Sequence, residues 1–311
     1  MRLLIHITFS LILLSQFFAC QNKKSAALPA NVHWQQADYS RLFLLGTSGK
    51  DSFIALRNPA DTSQWMQIAY LGNGTTPTGC MKISRRKRIA CMTAVFSGMM
   101  EVLGTETRIC CTDNIQYHTG PNCRKWFAKS NITEATKGVS LDREKLMKSK
   151  PDMVLTYFID NKGKKEWNAI TQQGIPVLFL QNYLENHPLA RAEWLKVLGW
   201  LTGKPDVAEA YFNMVEEHYL ALVNDVNEAS QQEPTVFCNA PYSGNWDVPA
   251  GGSYMAALLR DAGADYFWKN EEGTGKISLD IETVYRRAKD ADFWINPGAC
   301  RNIACITSAD R

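Results

Sequence analysis

Alternating and periodic apolar positions divide the chain beyond residue 40 into two kinds of segment. From Arg41 to about Tyr70, two apolar runs flank a Gly-Lys-Asp turn in RLFLLGTSGKDSFIALRNP, which predicts a β-hairpin. After Cys80, short apolar strands alternate with amphipathic helices, as in a mostly parallel sheet that is covered on both faces. The pattern therefore predicts a hairpin followed by an α/β body.

The α/β body is predicted to form one lobe before a long helix and another lobe after it. First-lobe strands are expected in RIACMTA, RICCTD, DMVLTYF and PVLFLQ, and helices in FSGMMEVLG, KEWNAITQQG and LARAEWLKVLGWLTGK. Pro205 then opens PDVAEAYFNMVEEHYLALVNDVNEASQQ, which has no internal Gly or Pro and predicts a helix of roughly 40 Å. After Pro234 the second lobe is expected from strands TVFCNA, ADYFW and DFWIN and helices SYMAALLRDAG and DIETVYRRAKDA.

A short repeated sequence supports the division of the α/β body into two similar halves. SLDRE at Ser140 to Glu144 matches SLDIE at Ser278 to Glu282, and each opens a short helix that leads into a strand. The sequence after Asn296 is too short to contain the closing strand and helix of a second α/β half. We therefore expect the second lobe to be incomplete, with an exposed sheet edge.

The first twenty residues predict a lipoprotein signal peptide. Arg2 precedes an apolar stretch, Leu3 to Phe18, that is short for a membrane span, and the ending Phe-Phe-Ala-Cys resembles a bacterial lipobox with Cys20 as the lipidated residue. Phe17 departs from the usual aliphatic residue, so simple secretion and an uncleaved anchor stay open as alternatives. The predicted organisation is a signal peptide (1–20), tether (21–40), hairpin region (41–79), first lobe (80–204), linking helix (205–232) and incomplete second lobe (233–311).

Charge, cysteine content and motifs exclude several function classes. With 34 basic and 31 acidic residues the net charge is +3, which does not favour nucleic acid as a partner. The eight cysteines after Cys20 include no CxxC pair, so no metal site is predicted, although Cys300 and Cys305 are placed for a local disulfide. Neither GxSxG, nor GxxxxGK[ST], nor a GxGxxG joining strand to helix occurs, so the sequence does not predict an enzyme.

Several of these segments carry a family resemblance. RIACMTAVFSGMMEVLGTETRI, SLDREKLMKSKPDMVL and DVPAGGSYMAALLRDAGADYF, with the long helix from Pro205 between the last two, are similar to the iron-siderophore and cobalamin substrate-binding proteins of ABC importers. The resemblance runs from about residue 40 to the end of the chain. It implies two Rossmann-like lobes joined by one long helix, a ligand held in the cleft between the lobes, and a monomer at the periplasmic face of a membrane.

The resemblance also implies the partners. The ligand is expected to be a metal chelate, a ferric siderophore or a cobalamin-type corrinoid, with no cofactor beyond it, and the receiving partner is the importer's membrane permease. In the family, a glutamate at the tip of each lobe docks into the permease, and the matching residues here are Glu144 and Glu282. The simpler interpretation is that both carboxylates only interact favourably with the positive end of a helix dipole.

Ligand-binding residues are expected in the loops after the parallel strands, because α/β lobes bind ligands at that edge. The Gly- and Pro-rich segment CNAPYSGNWDVPAGG predicts a loop that presents aromatic side chains to a large planar ligand. Trp268 follows another strand and suits either the cleft or the core. The predicted ligand-binding residues are Tyr242, Asn245, Trp246, Phe96, Tyr117, His118, Tyr157, Tyr183 and Trp268, and Thr93, Asp113, Asp160 and Asn182 also follow first-lobe strands. A loop histidine beside Thr-Gly-Pro, such as His118, is expected to be solvated.

Two other functions stay open at this point. A zinc- or manganese-binding protein of an ABC importer shares the long-helix architecture, but its site needs about three imidazoles, and the chain beyond residue 20 has only His33, His118, His187 and His218. The other alternative is a surface lipoprotein that scavenges haem or cobalamin without meeting a permease.

Overall fold

The computed structural model describes residues 26–84, 86–137, 140–229 and 232–298, with residues 300, 302, 304 and 305. Its first unit is an antiparallel sheet, extended by one short parallel strand, that contains the predicted hairpin. Strands β2 (Phe43–Ser48) and β3 (Asp51–Asn58) pair across a turn at Gly49, where φ is +60°. β1 (His33–Gln36), β4 (Asp61–Tyr70) and β5 (Met81–Lys82) complete the order β1-β2-β3-β4-β5. The last part of the predicted tether is thus a strand, because His33–Gln36 pairs with β2.

The N-terminal sheet is apolar on both faces. Neighbouring residues of one strand point to opposite faces, and they join different cores here: Phe43 and Leu45 pack with the first lobe, whereas Leu44 packs in a separate cluster with Phe53 and Ile68. This two-sided burial explains why β2 and β3 have long apolar runs. The sheet is therefore built onto the first lobe.

The first lobe is a parallel sheet with helices, as predicted. β6 (Ile89–Cys91), β7 (Ile109–Thr112), β8 (Thr133–Glu134), β11 (Met153–Thr156) and β12 (Val177–Phe179) lie in the order β12-β11-β6-β7-β8. All four neighbouring pairs are parallel. The helices are α1 (Ala94–Val102), α2 (Pro121–Ser130), α3 (Arg143–Lys148) and α4 (Asn161–Thr171), and a small ribbon pairs β9 (Thr136–Lys137) with β10 (Ser140–Leu141).

Helix α2 and strand β8 are the first-lobe elements that the sequence pattern missed. α2 is short and largely polar, and it buries only Cys123 and Phe127, one helical turn apart. The helix starts with Pro121 and ends at Asn131, whose φ of 48° is left-handed. Only two of its ten residues are fully buried, so its apolar pattern is short and weak.

Two helices, α5 (Pro188–Thr202) and α6 (Pro205–Ala229), follow the first lobe and pack against each other. α5 is buried on most of its surface, whereas α6 buries Ala208 and Phe212 and leaves most of its other side chains exposed or half-buried. The long helix predicted from Pro205 is present through Ala229. No helix in the described ranges is long and apolar enough to cross a membrane.

The second lobe has two three-stranded sheets. β13 (Thr235–Cys238), β16 (Asp265–Tyr266) and β18 (Phe293–Ile295) form a parallel sheet, and β14 (Pro241–Tyr242), β15 (Asn245–Pro249) and β17 (Lys276–Leu279) form an antiparallel one. Helices α7 (Tyr254–Asp261) and α8 (Ile281–Ala288) complete it. The predicted loop CNAPYSGNWDVPAGG is mostly a β-hairpin of β14 and β15, which the sequence analysis got wrong.

Side-chain contacts connect these units. The Gln67 amide bonds the Val177 carbonyl (2.7 Å) and the Phe179 amide (2.9 Å), so it satisfies the edge strand β12 as a neighbouring strand would. Between the lobes, the Arg191 guanidinium of α5 lies 3.8 Å from the ring centre of Tyr254 in α7. The lobes are thus joined by side-chain contacts as well as by α6.

Candidate functional site

A first pocket lies where the parallel strands of the first lobe end. Met92 follows β6, Asp113 follows β7, and Thr156 to Ile159 end and follow β11, so the strand order brings three loops to one edge. The cavity has a volume of about 500 Å³. Its lining consists of Met92, Asp113, Asn114, Thr136, Leu141, Thr156, Tyr157, Phe158, Ile159, Asp160, Gly163, Glu166 and Trp167. We call it the first-lobe pocket.

Asp113 is held at this pocket by a buried histidine. The Asp113 carboxylate is 2.7 Å from His118 Nε2, and His118 is only 1% exposed. A carboxylate accepts hydrogen bonds, so Nε2 carries the proton, and Nδ1 lies 2.7 Å from Ser97 Oγ. Thr112 Oγ1, 2.8 Å from Nε2, completes the cluster. The expectation that His118 is solvated was wrong, because the helix after its loop, α2, covers it with Phe127.

The cluster contains the residue types of a catalytic triad but not its accessibility. Ser97 is 2% exposed, and its hydroxyl lies within 3.0 Å of the Ala94 carbonyl of its own helix. A nucleophile must reach a substrate, which this hydroxyl does not. Both ring nitrogens of His118 already have hydrogen-bond partners, so the ring is not placed to ligate iron. The cluster instead orients Asp113.

The remaining polar groups of the pocket come from the loop after β11 and from α4. Asp160 caps α4 by accepting from the Gly163 amide at 2.7 Å, and Glu166 lies 3.8 Å from Arg143 across the pocket rim. Tyr157 is partly exposed, and its ring centre is 5.3 Å from that of Tyr183. A backbone contact thus fixes Asp160 and a ring contact fixes Tyr157, whereas Glu166 has a long ion-pair contact.

Tyr183 supports the pocket from behind. Its hydroxyl donates to the Phe158 carbonyl at 3.0 Å, and burial raises the pKa of the Tyr183 phenol, so the group stays protonated as a donor. Tyr183 is outside the pocket lining, whereas the predicted Tyr157, Asp113 and Asp160 are within it.

A second pocket, of about 340 Å³, lies at the corresponding edge of the second lobe. It follows β13 and β18 and is lined by Ala240, Pro241, Tyr242, Ser243, Gly244, Trp246, Ile281, Trp294, Pro297 and Cys300. Tyr242 is 85% exposed, whereas Trp246 is largely buried and donates from Nε1 to the Cys238 carbonyl at 2.9 Å. Trp246 also packs against Trp294 with ring centres 5.6 Å apart. We call this cavity the second-lobe pocket.

The structure corrects several predicted ligand contacts. Phe96 is buried in the first-lobe core on the inner side of α1, and Trp268 is buried in the second-lobe core from the turn after β16. Trp246 has most of its surface in the second-lobe core, since it belongs to strand β15 rather than to a loop. Tyr117 and Asn245 are exposed but are in neither pocket lining.

The two copies of the repeated sequence form matching helix starts. Asp142 and Asp280 cap α3 and α8 by accepting from the backbone amides of Lys145 and Thr283, at 3.1 and 2.7 Å. Hydrogen bonds from the Thr283 hydroxyl and amide lower the pKa of Asp280, which keeps that cap charged at neutral pH. Glu144 and Glu282 are each the second residue of their helix.

Both glutamates are exposed, and the buried residue two positions later is Leu146 in α3 and Val284 in α8. Tyr285, the residue after Val284, is exposed and does not face the core. The equivalence of the helices therefore rests on one buried position and the aspartate cap.

The sequence also made predictions about disulfide bonds and metal sites. Cys300 and Cys305 form the expected local disulfide. Within the described ranges, no group of three or more histidine, cysteine or acidic side chains is arranged to hold a metal ion. Cys20 lies outside the described residues.

Related proteins of known sequence provide an independent comparison. An uncharacterised lipoprotein of Methanocaldococcus jannaschii is 30% identical over 178 residues, which is 56% of this chain and 42% of the relative. A second uncharacterised protein of that organism is 25% identical over 177 residues, 54% of this chain and 51% of the relative. The chain thus spans about half the length of these relatives.

Solved structures share the fold at low sequence identity. A possible iron-binding periplasmic solute-binding protein of Staphylococcus epidermidis superimposes with a TM-score of 0.58 at 15% identity, covering 73% of this chain and 84% of that one. A periplasmic heme binding protein of Pseudomonas aeruginosa gives 0.55 at 18% identity, with 71% and 76% covered. The periplasmic vitamin B12 binding protein of Vibrio cholerae gives 0.51 at 14% identity, with 71% and 78% covered.

A match at the level of a protein family also covers more than half of the chain. The sequence profile described as "periplasmic binding protein" matches residues 89–301, from the first strand of the first lobe to the end of the second lobe. It covers both pockets and the helix between them. The chain therefore belongs to the periplasmic binding protein family.

Proposed function

We propose that this protein is the substrate-binding lipoprotein of an ABC importer, which captures a metal chelate between its lobes and delivers it to a membrane permease. The observation that carries the proposal is the pair of pockets at the carboxyl ends of the parallel strands, one in each lobe. Members of a binding-protein family use such a site for capture rather than for catalysis. The chelates we propose are a ferric siderophore or a corrinoid.

The size and lining of the pockets support a large ligand. Each pocket has an exposed tyrosine, Tyr157 in the first lobe and Tyr242 in the second, and aromatic rings suit planar or bulky ligands. The named ligands of the structural neighbours, iron, haem and vitamin B12, are of the same general kind. A ligand in contact with both tyrosines would hold the lobes together around it.

Limited movement of the lobes fits this mode of capture. α6 is a continuous helix of 25 residues, and α5 contacts α7 through the Arg191–Tyr254 pair. A single helix and a small contact area allow a modest change of lobe angle without unfolding. We therefore expect the ligand-bound form to differ by a small rotation.

The binding step is tested by titrating the lipid-free protein with cyanocobalamin, haem and ferric siderophores while recording tryptophan fluorescence. Tyr157→Ala and Tyr242→Ala should each weaken binding at least tenfold, because each removes an aromatic contact of one pocket. Tyr211→Ala is the matched control, since Tyr211 is a partly exposed tyrosine of α6 outside both linings. Equal losses in all three variants would contradict the assignment of the pockets.

The delivery step is assigned to Glu144 and Glu282. Both are exposed at the start of aspartate-capped helices, one in each lobe, so a permease could contact both at once. The double variant Glu144→Ala/Glu282→Ala should abolish uptake while ligand affinity stays unchanged. Glu217→Ala, an exposed glutamate of α6, should leave uptake intact. Full uptake by the double variant would reject the docking role and leave the dipole interpretation.

We further propose that Cys20 carries a lipid that anchors the protein to a membrane, on the periplasmic side. The lipobox-like sequence before Cys20 supports this, as does the name of the lipoprotein relative. Metabolic labelling with a fatty-acid analogue should mark the wild type but not Cys20→Ser. Labelling of both forms would place the lipid elsewhere.

A further inference from the structure

The two pockets differ in charge. Three carboxylates, those of Asp113, Asp160 and Glu166, line the first-lobe pocket, and none of its described lining residues has a cationic side chain. The described lining of the second-lobe pocket has neither sign of charge and is dominated by aromatic and small residues. A ligand that spans both pockets therefore meets an electronegative surface on one side only.

Two cationic side chains of the described residues, those of Arg143 and Lys164, lie near the first-lobe pocket. Arg143 is about half exposed and reaches Glu166 at 3.8 Å, which is long for an ion pair. Lys164 Nζ lies 4.9 Å from the ring centre of Phe158, a lining residue. Asp160 interacts with the amino end of α4 and Asp113 with His118, and neither contact is with a lysine or arginine.

Hydrogen-bonding capacity at this edge has the same bias toward acceptors. Gln181, 2% exposed, follows β12 and donates from Nε2 to the Phe158 carbonyl at 3.3 Å. That bond fixes the orientation of the amide, and Oε1 is then buried with no hydrogen-bond partner among the described residues. Gln181 itself is outside the pocket lining, so the charged acceptors that a ligand meets there are the three carboxylates, and these call for a ligand that supplies donors.

We infer that the first-lobe pocket selects metal chelates that are neutral or positively charged and that present N–H or O–H donors, with Asp113 as a specificity-determining residue and His118 as its positioning residue. This inference rests on the proposed binding function. A chelate with several negative charges would bring like charges together in a partly desolvated site, and specificity is commonly built from such repulsion. A cationic or amide-bearing chelate would instead satisfy the acceptors.

The test is a titration series in which the charge of the chelate is the variable. Calorimetry at low ionic strength would compare ferrioxamine B, a ferric trihydroxamate with one positive charge, ferrichrome, a neutral one, cyanocobalamin, a neutral corrinoid with peripheral amides, and ferric enterobactin, which has three negative charges. We expect a cationic or neutral probe to bind at least tenfold more tightly than ferric enterobactin. Added salt should narrow that difference, since screening weakens charge repulsion.

Isosteric variants then assign the effect to individual carboxylates. Asp160→Asn removes the charge but keeps a good helix cap, so folding is preserved. For this variant and for Asp113→Asn we expect the affinity ratio of ferrioxamine B to ferrichrome to fall about fivefold, the weak limit for two charges 4 Å apart in water. Asp290→Asn, a highly exposed carboxylate outside the linings, should leave the ratio unchanged.

His118 is tested by the same ratio, because a merely structural role would weaken both chelates equally. His118→Phe removes the hydrogen bond to Asp113 and should lower the ratio, whereas His118→Gln, whose amide can donate to Asp113, should restore part of it. Tight binding of ferric enterobactin, or an unchanged ratio in both aspartate variants, would overturn the inference and leave the binding function standing. Failure of every probe to bind would instead contradict the proposed function.

Discussion

Glu193 of α5 is a buried carboxylate on which the attachment of the N-terminal sheet depends. It is 0% exposed, and it accepts hydrogen bonds from the backbone amides of Asp38 (2.7 Å), Tyr39 (2.9 Å) and Ser40 (2.8 Å). Lys196 Nζ lies 3.6 Å away and supplies the compensating charge. The substitution Glu193→Gln keeps the shape of the side chain and removes its charge.

The expected cost follows from which oxygen is lost. Oε2 accepts from Tyr39 and Ser40, and Oε1 accepts from Asp38 and faces Lys196. If the glutamine oxygen takes the Oε2 position, its NH₂ group faces two donors, and the partly buried Asp38 amide loses a charged acceptor worth about 1.5–3 kcal/mol. The two remaining bonds become neutral and about half as strong. We therefore expect a loss of about 3–4 kcal/mol in the free energy of unfolding.

Urea unfolding followed by circular dichroism would measure this loss, and hydrogen exchange of the 38–40 amides would show whether it is local. Glu209→Gln is the matched control, because Glu209 contacts the same Lys196 at 3.1 Å but is about half exposed. An exposed ion pair is worth less than about 1 kcal/mol. The reasoning is refuted if Glu193→Gln costs no more than Glu209→Gln, or if the 38–40 amides exchange at the wild-type rate.

Two further predictions concern packing and pH. Gly199→Ala should destabilise the protein by about 2–3 kcal/mol in the same urea assay, because the new methyl would lie 2.4 Å from the Ala208 Cβ. Gly98→Ala, in α1, has open space at the new methyl and should stabilise the protein by about 0.5–1 kcal/mol. Burial raises the pKa of Glu185, which accepts from Trp194 Nε1. The folded protein thus binds the proton of the Glu185 carboxyl more tightly than the unfolded chain does. Above the pKa of Glu185 in the folded state, its buried charge lowers the free energy of unfolding, and this loss disappears as the pH falls to the pKa of the unfolded state. The Glu185→Gln variant should accordingly have a higher melting temperature than the wild type at pH 8, and this difference should vanish toward pH 4. A difference in melting temperature that stays constant with pH would contradict the prediction.

The elements with a strong period were predictable from sequence. Strands β6, β7, β11 and β12 are continuous apolar runs because both faces of the first-lobe sheet are covered, and the long helix has a Pro start and no internal breaker. Helix α2 was missed because only two of its ten residues are fully buried, so its periodic signal is weak. Strand β1 was missed because three of its four residues are polar and exposed, and its register is set by β2.

Candidate site residues chosen because they follow strands line the first-lobe pocket, whereas some that were chosen for their residue type lie in a core. Asp113, Tyr157 and Asp160 line the first-lobe pocket because the edge of a parallel sheet gathers the loops that follow it. Phe96 was chosen partly as an aromatic residue, and a large apolar side chain next to a strand is as readily buried in the core as presented to a ligand. Trp246 lines the second-lobe pocket but has most of its surface in the second-lobe core. Glu166 was missed because it comes from the second turn of α4 and not from a loop.

The paired aspartate caps show that two similar five-residue segments form the same helix start in lobes that otherwise differ. The first lobe has a five-stranded parallel sheet and the second a three-stranded one, yet Asp142 and Asp280 start helices in the same way. A cap sets the backbone direction of the first turn, and one buried residue sets the rotation of the helix about its axis. Together they place Glu144 and Glu282 equivalently on their own helices. Under the proposed docking role, a permease that recognises one of these helix starts would meet the same local geometry a second time.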